Sequence, residues 1–95
     1  MKQVIVVGSG HWGKNLIRNF YDLDALAGVV EIAPALQAQV KETYPEISLF
    51  TDYSEALATD VSAIVIATPA PTHYTLALAA LKAGKDVFVE KPMTL

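Results

Sequence analysis

Glu90, Lys91 and Pro92 follow directly on an apolar run, so that the stretch reads "DVFVEKP". A lysine leaving the end of a strand can donate to a substrate oxygen and stabilise charge that develops on it. To act as a base at neutral pH its pKa must fall from about 10.4 toward about 7–8. Pro92 fixes its own φ and biases Lys91 toward extended backbone, which aims the side chain. An ordinary surface lysine at a strand end is the alternative. Nearer the N-terminus, Gly8, Gly10 and Gly13 form G-x-G-x-x-G in "VVGSGHWGKN". Gly8 permits a tight turn out of a strand, Gly10 lets the backbone approach a pyrophosphate, and Gly13 lets the following helix pack close to the sheet. The helix start offers free N–H groups and the positive end of its dipole to phosphates. The loop lacks the Gly-Lys-Ser/Thr of nucleoside triphosphatases. A glycine-rich turn without a ligand is the alternative here.

Glu31 stands 18 residues after Gly13, at the end of the next apolar run. A carboxylate at that point can accept hydrogen bonds from the 2′- and 3′-hydroxyls of an adenosine ribose. It repels a 2′-phosphate: two unit charges about 4 Å apart at an effective dielectric near 20 interact by roughly 4 kcal/mol. The residues that follow are Ile32, Ala33 and Pro34, and the nearest lysine is Lys41, so no base stands ready to hold that phosphate. The cofactor expected is therefore NAD rather than NADP. A solvated acid at a strand end is the competing reading. Thr68 and Pro69 follow the fourth apolar run, and His73 begins the helix after it, suited to packing or hydrogen bonding more than to proton transfer. His11 and Trp12 lie inside the fingerprint. His11 sits near the pyrophosphate or faces solvent; Trp12 covers the cofactor or wedges the first helix against a neighbour.

The elements that must position these residues alternate along the chain. "QVIVV" is a β-branched strand ending at glycine. Leu16, Ile17 and Phe20 recur at helical spacing, which predicts a helix over 12–21. "LAGVVEI" is the second strand, and Pro34 opens a helix whose Leu36, Val40 and Tyr44 share a face. "ISLF" is a weak third strand. Asp52 and Glu55 have the spacing of a capping box before a short helix. "VSAIVIAT" is a fourth strand, apolar on both faces as a covered parallel strand should be. Thr72 and Gly84 bound the last helix, and "DVFVE" is the fifth strand. Strict alternation predicts an α/β fold: a Rossmann-type, doubly wound parallel sheet with strand order 3-2-1-4-5.

Composition bounds the rest. Ninety-five residues make one domain at most. Seven basic residues are scattered and the net charge is −3, which argues against nucleic acid as a partner. The absence of cysteine excludes disulfides and thiolate metal sites, and no metal site is expected. The uncharged stretch from Val61 to Leu81 is long enough to cross a bilayer. Pro69, Pro71, Thr72 and His73 break it, and it reads better as a buried strand followed by a helix. No membrane association and a cytoplasmic location are expected. A hydrophobic share of 53% against 18% charged is apolar for so small a domain and points to a surface meant to be covered.

"GSGHWGKN" and "ATPAPTHYTLALAALKAGKDVFVEKP", with the spacing between them, resemble the N-terminal domain of the glucose–fructose oxidoreductase/inositol dehydrogenase/rhizopine-catabolism family. The resemblance covers nearly the whole chain, and "GHWGKNLIRNF" is further similar to members that act on nucleotide sugars, such as UDP-N-acetylglucosamine 3-dehydrogenases. It implies hydride transfer between NAD and a hydroxyl carbon of a sugar, polyol or nucleotide sugar. It sets Lys91 beside the nicotinamide as the catalytic lysine, and Thr68, Pro69, Glu90 and Pro92 along the cofactor. Members of the family continue into a second α/β domain that holds the sugar and forms the oligomer. The 95 residues are thus expected to be an incomplete dinucleotide-binding domain, weak for NAD and inactive alone, prone to self-association beside the fifth strand. A self-contained NAD-binding or redox-sensing module is the alternative. S-adenosylmethionine or FAD on the same loop ranks below both, because neither calls for Glu-Lys-Pro.

Overall fold

The structure, a computed structural model, describes residues 3–68 and 73–89, without the side chains of His11 and Trp12. Five strands and four helices alternate. They are β1 (Val4–Val7), α1 (His11–Asp22), β2 (Leu26–Val30), α2 (Pro34–Thr43), β3 (Ser48–Phe50), α3 (Tyr53–Leu57), β4 (Ala63–Ile66), α4 (His73–Lys82) and β5 (Asp86–Val89). All paired strands are parallel, in the order β3-β2-β1-β4-β5. The reversal of winding between β1 and β4 opens a crevice at their carboxyl ends, where open parallel sheets bind ligands.

Side-chain alternation along the strands builds two cores. On the face covered by α1 and α2, Val4, Val6, Val29, Ala63 and Val65 pack with Ile17 and Val40. On the face of α3 and α4, Ile5, Val7, Val30, Ile64 and Ile66 pack with Ala56 and Ala80. β1 and β4 are buried along their whole length, whereas β5 is mostly exposed. The register aligns Val7 with Val30 and with Ile66, Val30 with Phe50, and Ile66 with Val89, so all five strands end at a common edge.

The expected elements are present, with small differences at their ends. α1 extends one residue beyond the predicted span at each end. β2 stops at Val30, and Glu31 lies just beyond it. β4 keeps only the middle of the predicted "VSAIVIAT", because pairing is limited by the four residues of β1 that face it. Asp52 caps α3, but its carboxylate accepts from the Ser54 N–H (3.0 Å) and hydroxyl (2.8 Å). The N–H of Glu55 instead bonds the Asp52 carbonyl at 3.2 Å. A one-turn helix leaves Ser54, with its two donors, the better placed partner. Thr72, expected to open α4, lies outside the described residues.

Candidate functional site

The loop from β1 to α1 turns at Gly8, whose φ of +97° is open to glycine and costly for other residues. The turn brings α1 back onto the strand end. A Cβ built on Gly13 would lie 2.0 Å from the Gly8 carbonyl oxygen and 2.7 Å from its carbon. Gly13 is therefore required by the closeness of helix and turn. Gly10 differs from both: its φ is −72°, and a Cβ there would meet nothing within 4 Å. Neither backbone conformation nor packing among the described residues calls for glycine at position 10. What remains is the space in front of it. α1 begins at that point with no side-chain cap and no acid in its first turn, which leaves its amino end open to an anion.

Glu31 faces this loop from the end of β2. It is 7% exposed. Its Oε1 accepts from both the Ser9 N–H (2.7 Å) and the Ser9 hydroxyl (2.6 Å), and its Oε2 accepts from the Ala33 N–H (3.0 Å). The Glu31 carbonyl accepts from Gln37 Nε2 at 2.6 Å, which fixes the start of α2 to the strand end. Burial is the largest single influence on the Glu31 carboxyl and pushes its pKa up. The Ser9 hydroxyl and the N–H groups of Ala33, Ser9 and Ile32 together outweigh it and hold the pKa below its ordinary 4.5. Glu31 is thus a buried, hydrogen-bonded carboxylate; the sequence reading of a solvated strand-end acid does not describe it.

A crevice of about 410 Å³ lies at the shared strand edge. It is lined by Gly8, Ser9 and Gly10 of the first loop, by Glu31, Ile32 and Leu36 from the end of β2 into α2, and by Tyr53, Ala67, Thr68 and Leu76. The Tyr53 hydroxyl donates to the Leu76 carbonyl at 2.7 Å and ties α3 to α4. A larger groove of about 560 Å³ runs between α1 and α2, lined by residues such as Lys14, Arg18 and Glu42. It meets the loop at Ser9, and none of the fingerprint glycines lines it, so the smaller crevice is the candidate site.

Thr68 lines the crevice, and its carbonyl oxygen lies 2.5 Å from His73 Nε2. A carbonyl only accepts, so Nε2 carries the proton. His73 then fastens the start of α4 to the end of β4, and it is not among the crevice-lining residues. Pro69, Glu90, Lys91 and Pro92 lie outside the described residues, as do the side chains of His11 and Trp12. Among the described residues there is no cluster of His, Cys, Asp or Glu able to hold a metal ion. Sequence reasoning passed over Ser9 and Tyr53. A hydroxyl between the first two fingerprint glycines, with an acid ending the next strand, was the available signal for Ser9. Tyr53 gave none, because its contact depends on how α3 meets α4.

Residues 2–95 match the family described as "Oxidoreductase family, NAD-binding Rossmann fold", the glucose–fructose oxidoreductase/inositol dehydrogenase/rhizopine-catabolism group. The chain belongs to this family. It is 33% identical over 95 residues to UDP-N-acetylglucosamine 3-dehydrogenase of Acidithiobacillus ferrooxidans, covering 95% of the chain and 28% of that protein. It is 34% identical over 95 residues to inositol 2-dehydrogenase of Azotobacter vinelandii, again covering 95% of the chain and 28% of the relative. Among solved structures it resembles the WlbA dehydrogenase of Bordetella pertussis in complex with NADH and UDP-GlcNAcA. That match has a TM-score of 0.85 and 28% identity, and covers 98% of the chain and 30% of the other. The chain thus spans under a third of the length of these relatives.

Proposed function

We propose that the chain is the cofactor-binding domain of a longer NAD-dependent oxidoreductase acting on a hydroxyl carbon of a sugar, polyol or nucleotide sugar. Gly10 carries the reading. Nothing inside the described chain demands glycine there, and a diphosphate lying against the loop would. The residues present fit such a ligand: an uncapped helix start for the diphosphate, Glu31 for the ribose hydroxyls, and an apolar wall for the adenine. Bound NAD would supply the hydride acceptor. Glu31 accepts from the ribose and opposes a 2′-phosphate, which favours NAD over NADP.

Lys91, carried over from the family motif, is proposed to hold or take the proton of the substrate hydroxyl at its Nζ. Thr68, Pro69, His73, Glu90 and Pro92 would frame the nicotinamide end, and His11 and Trp12 the diphosphate. The relatives named as acting on a nucleotide sugar and on inositol support the substrate class. The substrate-binding remainder is proposed to pack beside β5, where Phe88 and Leu81 are exposed. The same flank would support self-association. A cytoplasmic location goes with this reading, since the cofactor pool it needs is there.

The test is a fluorescence titration of the chain with NADH, repeated on Gly10→Ala. Wild type should bind NADH, and the variant should bind it at least tenfold more weakly while its stability changes by no more than about 1 kcal/mol, the loss of a glycine cap opposing the gain in chain stiffness. Failure of wild type to bind, or equal binding by the variant, would overturn the assignment.

A further inference from the structure

Ser9 makes an unusual pair of contacts for a residue between two fingerprint glycines. It is 1% exposed, and both of its donors, main chain and side chain, are spent on the same oxygen of Glu31. A carboxylate has about four acceptor positions. Both Ser9 donors go to Oε1, whereas Oε2 accepts only from the Ala33 N–H at 3.0 Å, so Oε2 is the oxygen with more capacity left for a ligand hydroxyl. The carboxylate is held at both ends and cannot swing aside without breaking these bonds and leaving a buried hydroxyl unpaired. Such a group costs more to leave unsatisfied than the bond returns when made.

We propose that Ser9 is a positioning residue for cofactor choice: its hydroxyl locks Glu31 so that the less occupied oxygen, Oε2, accepts from a 2′-hydroxyl and no room can be made for a 2′-phosphate. The proposal rests on the NAD reading above and adds a cause for it. An acid at the end of β2 excludes a phosphate only as long as it stays in place; on a mobile side chain the repulsion is relieved by rotation into solvent. Ser9 removes that escape. It also joins the loop that meets the diphosphate to the residue that meets the ribose, so the two ends of the adenosine site are set together. The groups that meet the carboxylate are Ser9 from the loop and the N–H groups of Ile32 and Ala33 from the turn into α2; Gln37 holds the main-chain carbonyl of Glu31 instead. Burial and these hydrogen bonds are the main influences on its titration.

Two measurements on wild type, Ser9→Ala and Ser9→Cys test this. The first follows the Glu31 carboxyl through acid titration by NMR without any nucleotide. The second compares NADH and NADPH affinities. Ser9→Ala should titrate at higher pH than wild type, and its preference for NADH over NADPH should narrow at least about fivefold, with Ser9→Cys, a poorer donor, between the two. A structural defect alone would weaken both nucleotides by the same factor. An unchanged Glu31 titration, or an unchanged preference in both variants of a chain that does prefer NADH, overturns the role of Ser9 and leaves the NAD assignment standing. Wild type that binds neither nucleotide overturns both.

Discussion

Glu31 is where local chemistry and the proposed cofactor choice meet. Its pKa is held below the ordinary value by hydrogen bonds that outweigh burial, so the folded state binds its proton less readily than the unfolded chain. The stability this contributes is present in full above the unfolded value near pH 4.5 and is lost as pH falls through the lower folded value. Glu31→Gln removes that acid dependence. It also sets an amide against the Ser9 and Ala33 donors, and we expect a cost of about 1–3 kcal/mol at neutral pH. Denaturation followed from pH 3 to pH 7 should show the wild-type curve falling toward the variant's as the pH drops. Parallel curves would mean the carboxylate is not linked to folding. The acid and its place in the chain were legible from the sequence, because the end of β2 follows from hydrophobic pattern and glycine spacing. The partner was not. Ser9 looked like filler between glycines, since nothing in a linear pattern tells which way a hydroxyl points after a turn at positive φ.

At the scale of elements, the β1–α1 unit depends on contact between main chains. Gly13→Ala would drive a methyl into the Gly8 carbonyl, where a built Cβ sits 2.0 Å from the oxygen. Backbone cannot yield as a flexible side chain can, so α1 must shift or the turn must open. Overpacking of this kind costs about 1–3 kcal/mol or more, and each kcal/mol lowers the midpoint of a domain this size by about 4–8 °C. The thermal midpoint of Gly13→Ala should therefore fall by about 4 °C or more, in contrast to Gly10→Ala. A drop below about 3 °C would show the turn to be compliant. Nearly every element could be read from the sequence, because β-branched runs, helical spacing and glycine or proline punctuation agreed with one another. Strand ends could not be. How much of "VSAIVIAT" pairs depends on the four residues that β1 offers across the ladder, which is a property of two segments and not of one.

For the whole molecule, the sheet is asymmetric in how it is covered. The centre is enclosed by helices on both faces, whereas Phe88 is 60% exposed and Leu81 59%. Part of the excess of apolar residues seen in the composition is thus exposed on β5 and α4, and part elsewhere, as at Leu23 and Ile32. If the β5 flank is an interface, Phe88→Ser should reduce concentration-dependent association in sedimentation. The stability at low concentration should change by no more than about 0.5 kcal/mol, as expected for surface substitutions. A sedimentation profile that does not respond to the change would remove β5 from any role in assembly. The strand order was predictable from alternation and handedness, and an exposed surface beside the fifth strand was expected from the apolar composition together with the family resemblance; the pattern of the strand alone does not tell what lies beside it.

The central place of β1 also bears on how the chain emerges during synthesis. Val4 to Val7 pair on one side with β2, made soon afterwards, and on the other with β4, which starts only at Ala63. Until the ribosome has released that later segment, a fully apolar strand has a bare hydrogen-bonding edge, open to any other chain nearby. The first half of the fold can form early, but it must wait, sticky along one side, for the segment that closes it.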